Sequence, residues 1–321
     1  DMYRCRAQGG GQFSIQQVTD APSGTGLYNS SKLQVTTADT SIGNTDYYEI
    51  KQHIEGYNFL PTEYGGSGAK TCTLSFYVKS NIADTFTGAI GNVSNNRGFG
   101  FNYTINSANT WERKTITIPG DTTGTWNKAD SVGGKIIFSL GIGASFQTAN
   151  VSTWETRETM GTDDGYNLMA STSNNLYLTG IQFEVGDTAT TFEHRSRGEE
   201  LLRCKRYYYQ EYRNGNSGGD GRGIFAMGMT ANSSSGSIYA TMNHPVEMRS
   251  APTVTFSLTF AAHRFGVAIN TITAANMSGS SYHNSTTATT ISGTNSGNAP
   301  GQGTLAFLEG VPGTMMFSAE Y

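Results

Sequence analysis

Charge is scarce in this chain of 321 residues. Asp, Glu, Lys and Arg make up 14% of it, and the formal net charge is −4 at pH 7. A chain with a pI near 5.8 carries no basic field to attract a phosphate backbone, so no nucleic acid is expected as partner. No run approaches the roughly eighteen consecutive apolar residues of a spanning helix, and no membrane insertion is expected. Cysteine is almost missing: Cys5, Cys72 and Cys204 are odd in number and far apart, without CxxC or Cys/His ligand spacing. Free structural thiols are expected rather than a disulfide framework, with Cys72 acting as a small hydrophobe. The five histidines (His53, His194, His244, His263 and His283) have no His or Cys partner at metal-ligand spacing, which argues against a transition-metal centre. A G-x-S-x-G elbow, an H-E-x-x-H helix and a phosphate loop are all missing.

What is present is glycine, 40 residues of it, beside a modest 36% of hydrophobic residues. That balance suits short strands joined by Gly/Asn turns. Period-two patterns bear this out along the first 186 residues. In KTCTLSFYVKS, Cys72, Leu74, Phe76 and Val78 face one way and Thr71, Thr73, Ser75, Tyr77 and Lys79 the other. YYEIKQHIEG sets Tyr48, Ile50, Gln52 and Ile54 against Glu49, Lys51, His53 and Glu55. FGFNYTI aligns Phe99, Phe101, Tyr103 and Ile105; KIIFSLGIG aligns Ile136, Phe138, Leu140 and Ile142; LYLTGIQFEV aligns Tyr177, Ile181, Phe183 and Val185. With FSIQQV, SKLQVTT and WERKTITI there are eight or more strands and no convincing helix, the pattern of a jelly-roll β-sandwich.

The expected organisation is all-β. Residues 1–186 form the jelly roll, 187–205 a charged junction with a short helix, and 206–321 a smaller β domain. GEELLRCK carries acids first and bases last, an order that suits helical turns through the macrodipole. Beyond it, RYYYQEYR, IFAMGMTA, GSIYATM, TVTFSLTF (burying Val254, Phe256, Leu258 and Phe260), TLAFLEG and TMMFSAEY read as strands. The polar tract from Ala275 to Gly303 reads equally as loops or weak strands. The opening DMYRCRA enters directly in a strand pattern, and the expectation is that the chain is the C-terminal part of a longer protein.

Few residues present themselves for chemistry. Trp126, Trp154, Tyr64 and Tyr166 sit in polar loop contexts where an aromatic either anchors its own loop or stacks on a sugar ring. Tyr282 and His283 form an outlying pair in the polar tract, and Trp111, opening a strand, reads as packed. Asp163 and Asp164 in GTDDGYN are a tight carboxylate pair: turn formers, ligands for Ca²⁺, or a glycosidase pair. Calcium is the one ion the sequence offers a place for; no other cofactor is expected, nor a catalytic residue.

The charges that the chain withholds elsewhere gather in IQFEVGDTATTFEHRSRGEELLRCKRYYY, residues 181–209. This stretch resembles a segment of bacteriophage tail-fibre and related virion proteins, in which a jelly roll similar to a carbohydrate-binding module leads through a charged segment into a C-terminal β domain. The match runs through Gln182, Glu184, Gly186, Ala189, Thr190, Phe192, Glu193, Arg195, Gly198, Glu199, Glu200, Leu201, Cys204, Arg206, Tyr207 and Tyr208. NHPVEMRSAPTVTF and the closing SAEY resemble the second domain of that family, while Phe183, Thr191 and Lys205 depart from its pattern. The resemblance implies a virion structural protein without enzymatic activity, a tail fibre or tail-associated adhesin that binds host surface polysaccharide as a homotrimer beside other virion proteins. In such a trimer Glu193, Arg195, Arg197, Glu199, Glu200, Arg203, Arg206, Tyr207 and Tyr208 would meet across subunits; as a monomer they form a solvated hinge. A capsid decoration or head-fibre protein, a glycan depolymerase and a bacterial carbohydrate-binding module remain alternatives.

Overall fold

The structure is a computed structural model that describes residues 3–212, 223–230, 237–256, 260–264, 280–294, 303–308 and 314–320, with side chains over 3–210, 241–255, 284–290 and 316–320. The chain divides into two compact units, Asp1–His194 and Arg195–Glu320. Residues 187–194 therefore belong with the first unit rather than with the helix that follows.

The first unit is a jelly-roll sandwich of two antiparallel sheets. Its strands are β1 (Tyr3–Gln8), β2 (Gln12–Val18), β3 (Ser30–Thr37), β4 (Tyr47–Glu55), β5 (Cys72–Ser80), β6 (Thr85–Gly91), β7 (Gly98–Thr104), β8 (Glu112–Ile118), β9 (Val132–Ile142), β10 (Gln147–Thr148), β11 (Trp154–Glu155), β12 (Gly161–Thr162) and β13 (Asn175–Val185), with one helical turn, α1 (Gly56–Phe59). One sheet runs β1-β4-β9-β6-β7-β11 and the other β2-β3-β13-β5-β8, so the chain crosses between layers repeatedly. The inward set of β5 (Cys72, Leu74, Phe76 and Val78) is fully buried, as its alternation requires. Phe76 packs edge-on against Tyr103 and Phe138, both at 5.0 Å. Burying each such ring contributes about 1.5–3 kcal/mol, which makes this aromatic layer the centre of the core. Among the described residues all three cysteines are free thiols.

Register shifts at β9 and β13 break the expected alternation there. In β9, Tyr48 pairs with Gly141 but Glu49 pairs with Ser139, which leaves Leu140 as an extra residue. Leu140 stays in the core while Ile142 passes to the outer face, against Tyr47, Ile137 and Met160. Ile142 is thus not on the face of Ile136 and Phe138. In β13 the register slips between Thr179 and Gln182. Leu176 and Leu178 are the buried residues before the slip, and Ile181 and Phe183 pack inward after it. Tyr177, opposite Lys79, therefore faces out, against the expected alignment, while Val185 pairs with Cys72 on the face of Phe183 and is exposed at the strand end. Gly180, at φ +57°, allows the slip.

The outer face of the six-stranded sheet is covered over β6, β7 and β9, while β1 stays exposed. Small residues of β6 and β7 let the ribbon 147–162 lie flat on it: a methyl at Gly100 would stand 2.8 Å from Thr148 Cγ2, and one at Gly98 2.7 Å from Thr159 Cβ. Thr162 N donates to Thr87 Oγ1 at 2.6 Å.

The second unit is also β, preceded by α2 (Arg197–Lys205). Its strands are β14 (Tyr208–Tyr212), β15 (Gly223–Thr230), β16 (Ser237–Asn243), β17 (Thr253–Phe256), β18 (Phe260–Arg264), β19 (Ser280–Asn284), β20 (Ala288–Thr294), β21 (Gly303–Leu308) and β22 (Thr314–Ser318). They form the sheets β14-β22-β17 and β18-β21-β15-β16-β20-β19. TVTFSLTF is not one strand: Thr253–Phe256 pairs with β22 and Phe260 begins a strand that pairs with β21. The burial expected of Phe256, Leu258 and Phe260 lies outside the described side chains. The polar tract supplies β19 and β20.

Candidate functional site

With the middle of one outer face covered by the ribbon 147–162, the larger open sheet surface of the first unit is the other one. On the five-stranded sheet, antiparallel register sets Gln16 beside Lys32, Lys32 beside Tyr177, and Tyr177 beside Lys79. One row thus crosses four strands, a span of about 14 Å at the usual strand spacing. The next row is Thr179, Tyr77 and Arg113. Trp111, just before β8, stands edge-on to Tyr177 with ring centroids 6.1 Å apart.

These side chains hold one another in place. Lys79 Nζ lies 4.4 Å from the Tyr177 ring centroid and 5.2 Å from that of Trp111. Lys32 Nζ lies 5.7 Å from Tyr177 on the other side, and the Arg113 guanidinium 6.0 Å from Tyr77. Asp20 ties the group together: it pairs with Lys79 and accepts from Trp111 Nε1 at 3.0 Å. The hydrogen bond from Lys79, then that from Trp111, hold the Asp20 carboxyl below the usual carboxylate range. Tyr77, Lys79, Trp111 and Tyr177 are half-buried, and Arg113 and Gln16 are exposed.

The far half of the face is strapped by residues 186–194. Thr190 donates to Glu184 from its nitrogen at 2.9 Å and its hydroxyl at 2.8 Å. Thr73 Oγ1 donates to Gly186 O at 2.8 Å, Arg113 donates to Thr190 O, and Glu193 N donates to Gln182 Oε1 at 2.8 Å. The strap leaves the Tyr177 row open. The ammoniums of Lys79 and Lys32 lie over the half-buried Tyr177 ring, so the row offers a partly covered aromatic surface with cationic and amide donors around it, a combination that meets the C–H surface and the hydroxyls of a sugar.

The loop aromatics sit elsewhere. Tyr64 is fully buried and Trp126 5% exposed, in one cluster with Phe59 and Trp154. Trp126 stacks on Phe59 at 5.1 Å, and Tyr64 and Trp154 meet it edge-on at 5.1 and 5.5 Å. Neither Tyr64 nor Trp126 has a free ring face, so the sugar-stacking expectation for them is corrected: these aromatics anchor their loops. Trp154 is half-buried and donates to Pro119 O at 2.7 Å. Tyr166, half-buried, packs on Phe86 at 5.8 Å. Asp163 and Asp164 are exposed; Asp164 accepts from Asn102 at 3.4 Å. Among the described residues no three His, Cys, Asp or Glu side chains gather at metal-binding distance. Tyr282 and His283 lie on β19, outside the described side chains.

The junction residues also have places. Glu193 is exposed on the strap. Arg197, Glu199, Glu200 and Arg203 lie on α2, where Ser196 caps Glu199 N at 3.2 Å and no residue is buried. Arg203 pairs with Glu199 at 2.9 Å and Arg195 with Glu200 at 3.4 Å. Arg206 donates to Glu247 O at 3.4 Å, Tyr207 O accepts from Ala319 N at 2.8 Å, and Tyr208 is 38% exposed. Tyr209 is buried in the second unit, stacked on Phe317 at 4.5 Å, and so adds no area to an interface.

Tyr77 and Lys79 were visible in the sequence as the outward half of KTCTLSFYVKS. Lys32, Asp20 and Tyr177 carried no such signal, because only strand register brings them together.

No family model matches the chain, and no curated protein matches it. Among solved structures it is similar to the enzymatically active domain of tailspike protein 4 of Bacteriophage CBA120, at 11% identity over 57% of this chain and 19% of that one, TM-score 0.33. It is similar to the family 11 carbohydrate-binding module of Lic26A-Cel5E of Clostridium thermocellum, at 13% identity over 59% of this chain and 89% of that one, TM-score 0.31. It is also similar to TmCBM61 in complex with beta-1,4-galactotriose, at 10% identity over 57% and 88%, TM-score 0.30. The chain spans about a fifth of the tailspike domain's length, 19% of it.

Proposed function

We propose that this chain is a glycan-binding structural protein of a phage particle, a tail fibre or tail-associated adhesin, with no catalytic step of its own. The observation that carries the glycan reading is the open row Lys32–Tyr177–Lys79 with Trp111 held beside it by Asp20. It is an aromatic platform on a rigid sheet, with polar groups on both sides. The placement in a virion rests on the resemblance of residues 181–209. Homotrimers would set three such faces on one object, and multivalency would raise the avidity of weak single sites. The exposed ion pairs of α2 and the exposed Tyr208 are the surfaces offered for that assembly, where charge pairs fix register more than they add stability.

Affinity electrophoresis of the full chain through gels containing surface polysaccharides of candidate host bacteria tests the glycan reading. Retardation in at least one polysaccharide, reduced in Tyr177→Ala, is expected; no retardation in any of them, or retardation unchanged by the substitution, contradicts it. Light scattering after size exclusion tests the assembly. A species near three times 34.4 kDa is expected, and a monomer that persists on concentration rules the trimer out for this chain.

A further inference from the structure

At the lateral edge of the sandwich the two sheets part around a cavity of about 300 Å³. It opens between β1 and β4 on one side and β2, β3 and β13 on the other, on the inward side of the sheet whose outward side bears Tyr177. The floor is apolar and buried: Ile50 is 2% exposed and Leu178 4%. Tyr3 and Phe192 form walls, and Ile15, 41% exposed, stands at the mouth.

The polar lining divides into two kinds. Thr179 and Ser30 border the cavity from strands whose register turns their side chains to the outer face, where Thr179 Oγ1 donates to Asn29 O at 2.8 Å and Ser30 Oγ to Asp20 O at 2.5 Å. The side chains of Gln17, Asn29 and Ser31 make no hydrogen bond within the described residues, and all three line the cavity, Gln17 and Asn29 exposed and Ser31 half-buried. The mouth is held by the strap, where His194 Nε2 lies 2.8 Å from Thr25 O and its ring packs edge-on to Phe192 at 5.1 Å.

We infer that this cavity is a second binding site, which takes a single pyranose ring at the end of a glycan chain. The volume lies at the lower limit of small-ligand sites, with room for one ring and not for an oligosaccharide. A wholly apolar ligand would leave the two amides and the serine without partners as it displaced their water. A wholly polar one would gain nothing from Ile50, Leu178 and the two aromatic walls. A sugar ring has both faces of this chemistry: C–H surface for the floor and hydroxyls for the rim. The inference stands on the cavity and not on the Tyr177 row.

The test is saturation-transfer NMR on the full chain with the methyl pyranosides of glucose, galactose, mannose and N-acetylglucosamine. Transfer to the ring protons of at least one is expected, retained in Tyr177→Ala and lost in Ile15→Trp, whose indole fills the mouth. Gln17→Ala and Asn29→Ala, at exposed positions that leave the core intact, should each weaken binding about fivefold, the effect of one lost neutral hydrogen bond. They keep the test valid if Ile15→Trp does not fold. No transfer from any of the four sugars overturns the inference. So does transfer that all the cavity variants leave unchanged, or transfer that Tyr177→Ala alone removes.

Discussion

Lys79 and Tyr177 face each other across β5 and β13, with the ammonium 4.4 Å from the ring centroid and pinned there by Asp20. The pairing fixes the ring on a strand whose own sequence gives it little restraint. Tyr177→Ala removes stacking worth about 0.5–1.5 kcal/mol and should weaken glycan binding by about threefold to tenfold. Asp20→Asn should weaken it less, since the ring stays and only its support loosens. Titration of both variants against the polysaccharide that retards the wild type checks the order.

Arg97 and Asp121 form a buried, two-pronged ion pair, at 2.7 and 2.6 Å. Trp126 Nε1 also donates to Asp121, at 3.1 Å. Their side chains are 8% and 2% exposed, so removing one partner strands the other charge. Asp121→Ala should lower unfolding stability by about 3–5 kcal/mol, and Arg97→Met with Asp121→Leu should recover much of it. Urea denaturation of the single and double variants gives the comparison. Glycan binding by folded protein should be unchanged, because this latch serves the loops around Trp126 and Trp154 and not the open face.

How far the sequence showed this is clearest in β5 and β13. Alternation placed Cys72, Leu74, Phe76 and Val78 inside because one period governs the whole of β5. The same rule put Tyr177 with Phe183, since nothing in LYLTGIQFEV marks Gly180 as the point where the register slips. Tyr64 and Trp126 lie among polar neighbours and so read as surface loops, yet the cluster they form with Phe59 closes one end of the core. That closure depends on contacts between segments far apart in sequence. The helix was legible from acids preceding bases, and its N-cap, Ser196, is a second local signal in the same stretch.

His53, half-buried on the outer face of β4, should make stability depend on pH. Burial, then the charges of Lys51, Arg4, Lys135 and Arg6, push its pKa down to about 4 from 6.5. Between those values the unfolded chain binds more protons at this site than the folded one. Its contribution is thus fully present above pH 6.5 and is lost as pH falls through 4. In His53→Gln the loss between pH 7 and pH 4 should be smaller than in the wild type. Urea midpoints at both pH values measure the difference, with carboxylate titration common to both proteins. A wild type and variant of equal slope would show that the imidazole titrates normally.

Gly180 carries the slip that turns Tyr177 outward, and the argument for it is steric. Its φ of +57° lies in the left-handed region, where an L side chain costs about 1–2 kcal/mol. A Cβ there would also stand 2.8 Å from Leu27 Cδ1 and 3.0 Å from Tyr77 Cδ2. Gly180→Ala should therefore destabilise the first unit by at least that amount, with the strain relieved by moving either Leu27, at the edge cavity, or Tyr77, on the open face. The two reliefs have different readouts. Movement of Tyr77 would weaken polysaccharide retardation, and movement of Leu27 would alter monosaccharide binding at the cavity. Thermal denaturation with both binding measurements on this one variant reports which side of β13 yields.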